Sequence, residues 1–106
     1  MYDRIKTNVF SKYLAIERLM LNKFDITKSQ LEILLYLGLS TSNGEISERN
    51  IKSRLKLPKS TTSVGISGLV EKGLATKVEE SASRNVYVAL TNKGEEMYGS
   101  IKEIIG

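Results

Sequence analysis

ISERNIKSRLKLPKSTTSVGISGLVEKGLATKVEESASRNVYVALT, residues Ile46–Thr91, is the stretch whose reading decides the fold. Ser47 can cap a short helix that turns Ile51 and Leu55 inward and its basic side chains outward. Leu57-Pro58 ends that helix, because proline biases its predecessor away from helical backbone, and Pro58 suits the first position of the next. The next helix spans Lys59 to Lys72, with Thr62, Ile66 and Leu69 as its inward stripe and Gly73 as its stop. Its first turns carry Ser60, Thr61, Thr62 and Ser63, with Ser67 and two glycines beyond. Intrinsic helix propensity does not explain that composition. Leu74 to Glu80 and Asn85 to Leu90 read as two strands, the second alternating Val86, Val88 and Leu90 with Tyr87 and Ala89. The turn between them is small and carries one cation, Arg84. Ile46 can add a one-rung strand to the hairpin. The order is helix, turn, helix, hairpin.

Outside this stretch the chain reads as helix. Val9, Tyr13, Ile16 and Met20 recur at spacings of four, three and four in a first helix over about Arg4 to Asn22, widened by Phe10 and Leu14 and extended by Leu21. So broad an apolar surface suits packing on the domain plus a second chain. Thr27 and Gln30 form a capping box, and the helix they open runs through LEILLYL to Gly38, where a left-handed cap is expected. Apolar on nearly every side, it should be the buried central helix. The loop LSTSNGE follows. Thr91 can cap the last helix, whose apolar face is Met97, Ile101, Ile104 and Ile105. The expected fold is mainly α with one β-hairpin, a winged helix-turn-helix whose terminal helices form a dimerisation region. One domain, 1–106, should divide into a dimerisation helix at 1–24, a reading unit at 27–91 with its wing near 75–90, and a second dimerisation helix at 92–106.

Composition narrows the function. The 106 residues include no cysteine and no histidine, which excludes disulfides, thiolate or imidazole metal ligands, and Ser–His or Cys–His nucleophiles. No close acid pair sits beside a glycine loop, so no catalytic residue, metal site or cofactor is expected. The longest apolar run is too short to cross a bilayer and the start lacks a signal-peptide core, which points to a cytoplasmic protein without a membrane partner. The net charge is +4. Between Ser47 and Ser60, Arg49, Lys52, Arg54, Lys56 and Lys59 stand against Glu48 alone, so five positives less one negative match the excess of the whole chain. A basic patch on one element is the footprint of a phosphate-binding surface. Short hydroxyl side chains let the following helix lie close to DNA.

From Thr27 to Gly94, about two thirds of the chain, the sequence resembles the multiple-antibiotic-resistance regulator family, MarR. The matching residues are Thr27, Gln30, Ile33 and Leu34; Lys59-Ser60-Thr61 and Ser63; Leu69 and Glu71-Lys72-Gly73-Leu74; then Arg84, Val88, Leu90-Thr91 and Gly94. The resemblance implies a dimeric transcription regulator binding double-stranded DNA, with Lys59, Ser60, Thr61, Ser63 and Ser67 at the major groove beside Val64. It implies Arg84 at the wing tip, reaching a minor groove. It implies a homodimer through Val9, Tyr13, Ile16 and Met20 with Met97, Ile101 and Ile104, and a small-molecule effector pocket to which Tyr13, Phe24 and Tyr36 could contribute. Three departures carry expectations. Ala82 replaces an acid, leaving Arg84 less rigidly held; Val64 replaces a basic residue, removing one contact; Gly65 replaces a bulky apolar residue, loosening the helix against the core. A nonspecific architectural DNA binder and a winged-helix protein-interaction module remain open beside the regulator.

Overall fold

The computed structural model describes residues 2–40 and 45–105, with side chains of 2–9 and 105 excepted. Helix α1 spans Tyr2–Phe24, α2 Lys28–Leu39, α3 Glu48–Leu55, α4 Lys59–Glu71 and α5 Asn92–Ile105. The strands are β1 Ile46–Ser47, β2 Ala75–Glu79 and β3 Val86–Leu90, in one antiparallel sheet ordered β1-β3-β2. The fold is mainly α with a winged hairpin, as the sequence predicts. Ile46 pairs with Val88 and Ser47 with Tyr87, which makes the hairpin the larger part of a three-stranded sheet.

Helix ends show why these residues form these elements. The Thr27 hydroxyl accepts from the Gln30 amide while the Gln30 side chain accepts from the Thr27 amide, a complete capping box. Ser47 accepts from the Asn50 amide at 3.2 Å and opens α3. That helix closes earlier than the Leu57-Pro58 reading: Lys56 turns left-handed at φ 54° and the Leu57 amide reaches back to Lys52 O. Pro58 is correspondingly the N-cap of α4 rather than its first residue. Gly73, at φ 74°, ends α4 in a Schellman motif, its amide donating to Val70 O and that of Leu74 to Leu69 O. Thr91 caps α5, accepting from the Gly94 amide at 3.1 Å and donating to Gly73 O.

The core is one cluster. Leu31, Ile33, Leu34 and Leu37 of α2 meet Ile51 of α3, Ile66 and Leu69 of α4, Val88 of β3, and Ile101 of α5. Ile16 and Met20 of α1 enter it too. These two and Ile101 are thus buried within the single chain and hold the terminal helices to the body, whereas the sequence assigns them to a surface between chains. Periodicity alone cannot separate the two apolar faces of α1, which lie side by side. Of the other residues in that set, Tyr13 and Met97 are half-buried, Ile104 is exposed, and the Val9 side chain lies outside the described residues, as does loop segment 41–44.

Two glycines also behave differently from expectation. α2 continues through Gly38 to Leu39, because Gly38 packs against the Tyr98 ring of α5 instead of capping. Gly65 is buried, and a Cβ there would sit 2.7 Å from Ile33 Cδ1. It brings α4 closer to α2 rather than loosening it.

Two outcomes follow from this packing. A Cβ on Gly94 would meet the backbone carbonyl of Leu74, whereas Gly99 faces open space within the same helix. Gly94→Ala should lower stability by about 1–3 kcal/mol by overpacking. Gly99→Ala should raise it by about 0.5–1 kcal/mol through helix propensity. Both read as urea midpoints at constant slope. Burial, then Glu17 and Glu32, push the Tyr13 phenol above its ordinary 10.0. The folded chain therefore holds that proton more tightly than the unfolded one. The associated stability is complete below 10.0 and is lost as pH rises through the higher folded value. Tyr13→Phe should lessen the alkaline loss, measured as urea midpoints of both proteins across that range.

Candidate nucleic-acid interface

The site begins with the exposed side of α4. Thr62, Gly65, Ile66 and Leu69 are buried, which fixes the opposite side as outward. Ser60, Val64, Ser67 and Glu71, at spacings of four, three and four, form that outward stripe. Thr61 and Ser63 are half-buried and flank it. The hydroxyl-rich start thus splits by role. The Thr62 hydroxyl, wholly buried, donates to Pro58 O at 2.9 Å and belongs to the core, while Ser60 is exposed and Ser67 half-buried. Val64 is 69% exposed, and Glu71 closes the stripe with a carboxylate. An acid at the C-terminal end and a helix dipole positive at the N-terminal end favour approach of an anionic partner to the first turns.

Beside the start of α4 lies a cleft of about 290 Å³ lined by Ser47, Glu48, Arg49, Lys52, Lys59, Arg84, Asn85 and Val86. Four cations from three elements, α3, α4 and the wing, meet there against one carboxylate. Arg54 and Lys56 are exposed but do not line it. Ser47, Glu48, Asn85 and Val86 carry no local sequence signal for this cleft. Only the pairing of β1 with β3 brings Ser47 beside the far end of the hairpin.

The wing tip is more ordered than the loss of an acid at Ala82 implies. β2 and β3 pair from Ala75 with Leu90 to Glu79 with Val86. The Glu80 amide then donates to Asn85 O at 2.8 Å and the Arg84 amide to Glu80 O at 2.7 Å. The Ser83 hydroxyl donates to the Glu80 carboxylate at 2.9 Å. Arg84 sits left-handed at φ 58°, a conformation that costs a non-glycine residue roughly 1–2 kcal/mol. Glu80 and Ser83 organise the turn in place of the missing acid, and Arg84 has a pinned backbone beneath an exposed side chain.

Two further surfaces complete the description. Phe10, Leu14, Leu21 and Phe24 share one face of α1 at spacings of four, seven and three, and all are exposed, Phe10 at 61%. Between Phe10 and Ala15 only Tyr13 is even half-buried, so this part of α1 makes little contact with its own domain. A larger cleft of about 480 Å³ is lined by Tyr36, Tyr87, Asn50, Asn85 and Arg49, among others. Tyr36 is the only one of the three expected aromatics there; Tyr13 and Phe24 lie on α1 and do not line it. Among the described residues no group of three or more acids gathers at metal-binding distance, and no helix is long and apolar enough to cross a membrane.

Comparison with solved structures places this architecture. The Staphylococcus aureus MepR mutant bound to oligodeoxyribonucleotide is 21% identical, with a TM-score of 0.78 over 98% of this chain and 75% of that one. A mutant MarR from E. coli is 21% identical over 100% of this chain and 76% of that one, with a TM-score of 0.73. NadR in complex with 4-hydroxyphenylacetate gives 22%, 98%, 70% and 0.72 in the same order of identity, coverage and score. No family model matches the chain, and no curated protein matches it. The fold is therefore that of the MarR-type winged-helix proteins.

Proposed function

We propose that the chain is a MarR-type transcription regulator that binds double-stranded DNA as a homodimer and represses by occluding a promoter. The observation that carries this reading is the meeting of Arg49, Lys52, Lys59 and Arg84 around one cleft beside the outward stripe of α4. The stripe enters a major groove by its first turns, the cleft cations hold the flanking phosphates, and Arg84 reaches the neighbouring minor groove. Support comes also from similar structures solved with DNA, those of MepR and of reduced AbfR. The exposed face of Phe10, Leu14, Leu21 and Phe24 joins two copies, with the exposed Ile104 of the last helix contributing. A two-fold dimer sets its recognition helices about 34 Å apart and reads a pseudo-palindrome. A small-molecule effector, in this proposal, occupies the cleft where Tyr36 and Tyr87 meet Asn50.

A second reading, nonspecific architectural binding, is favoured by one observation: apart from Lys59 at its start and Glu71 at its end, α4 has no side chain long enough for bidentate base readout. Selection of bound duplexes from a random pool, at about physiological salt, separates the two. Enrichment of an inverted repeat supports the regulator; retention without enrichment supports the architectural protein.

Arg84→Gly tests the wing without disturbing it, because glycine accepts the left-handed backbone at no cost. It should leave thermal stability unchanged or higher and weaken binding to the enriched duplex about tenfold or more, in a fluorescence anisotropy titration. Wild-type affinity for that duplex should fall by roughly 10³–10⁵ between ~50 and ~200 mM salt if 6–10 phosphates are engaged. A flat salt response would remove the proposal. Phe10→Glu with Leu14→Glu should convert the dimer to a monomer in sedimentation equilibrium while leaving far-ultraviolet circular dichroism unaltered.

A further inference from the structure

We infer that Val64 is a specificity-determining residue that reads the 5-methyl group of thymine. The inference rests on the reading of α4 as the base-reading helix and goes beyond it by naming the base. Val64 lies in the middle of the outward stripe, between Ser60 and Ser67, and 69% of its surface is open. Neither local nor tertiary stability accounts for it. Valine is a mediocre helix former, since its branched Cβ loses rotamer freedom against the preceding turn. Its exposure means that core packing gains little from it.

Its surroundings make the case sharper. A cleft of about 300 Å³ runs between the start of α2 and the start of α4, walled by Thr27, Ser29, Gln30, Ser60, Thr61, Val64 and Gly65. Val64 is the one bulky aliphatic side chain on those walls. The rest are short hydroxyls, one amide and a glycine. The exposed stripe also offers no arginine for the O6 and N7 acceptors of guanine and no asparagine or glutamine for the paired groups of adenine. On that stripe Val64 is the side chain that can distinguish a base only by its apolar surface. In a major groove the apolar feature presented by a base edge is the thymine methyl. A branched aliphatic group set among hydroxyls is complementary to that methyl beside phosphate and sugar oxygens.

The test uses the full-length chain and the duplex it enriches from a random pool. Each thymine is replaced in turn by deoxyuridine, which removes the methyl and preserves base pairing. Wild-type protein should lose about fourfold in affinity at one or two thymines per half-site, the worth of burying one methyl-sized group. That loss should vanish in Val64→Ala and persist in Ser67→Ala. Val64 is 69% exposed and adds little to the core, so the alanine variant should fold, and equal thermal midpoints check this. Uracil losses of equal size in wild type and Val64→Ala, or none in either, would overturn the assignment and leave the regulator reading intact. Failure to enrich any duplex would overturn the regulator reading and this assignment together.

Discussion

The close approach of α4 to α2 is the constraint on which the other features depend, and Gln30 is at its centre. Its side chain is nearly buried, with its oxygen accepting from the Thr27 amide at 3.2 Å and from the Lys72 ammonium at 3.4 Å. One residue thus completes the start of α2 and ties down the far end of α4. The helices can meet at this depth because α4 presents Gly65 to Ile33 and Gly68 to the Gln30 amide. A side chain at either glycine would press on a buried partner. With α4 seated, its opposite face is necessarily the exposed one, and the surface offered to a partner follows from the packing behind it.

The wing depends on the same seat. Gly73 turns the chain directly from α4 into β2, and the Thr91 hydroxyl and amide return to Gly73 O and Leu74 O from the far end of β3. Hairpin and helix are joined at that corner by hydrogen bonds rather than by a flexible connection. β1 closes the other edge of β3 and brings the start of α3 beside the turn. The basic cleft lies where these paths converge. Several cations in one place repel one another, and they are tolerated because all remain open to solvent. A polyanion would relieve that repulsion while displacing its own counterions. The left-handed backbone of Arg84 is held by its amide donating to Glu80 O at 2.7 Å, beside the Ser83 hydroxyl on the Glu80 carboxylate.

Much of this was legible residue by residue. The capping box at Thr27 and Gln30, the Ser47 and Thr91 caps and the Gly73 stop are local chemistry, decided within four or five positions. Alternation from Val86 to Leu90 marked a half-buried strand, and the inward stripe of Thr62, Ile66 and Leu69 followed from helical spacing. Structure and sequence pattern part where one pattern has two tertiary meanings. Ile16, Met20 and Ile101 repeat as an interface residue would, yet they are core, because α1 carries two adjacent apolar faces and only one meets the domain. Gly38 stood where a cap belongs but accommodates Tyr98, more than fifty positions away. Gly65 looks like a loss of packing in sequence, but the volume it frees is filled by Ile33 of another helix.

By itself, then, the sequence determined the elements, their order and the sign of the charge on the helix-turn-helix unit. Helix caps, strand alternation and turn backbones depend on neighbours a few residues apart. The tertiary structure alone decided which cations share a cleft, which face of α1 is buried, how closely α4 lies on α2, and that Val64 stands exposed among hydroxyls. Those outcomes depend on distances between residues far apart in the chain, which are set when the core closes and each helix commits one face to it.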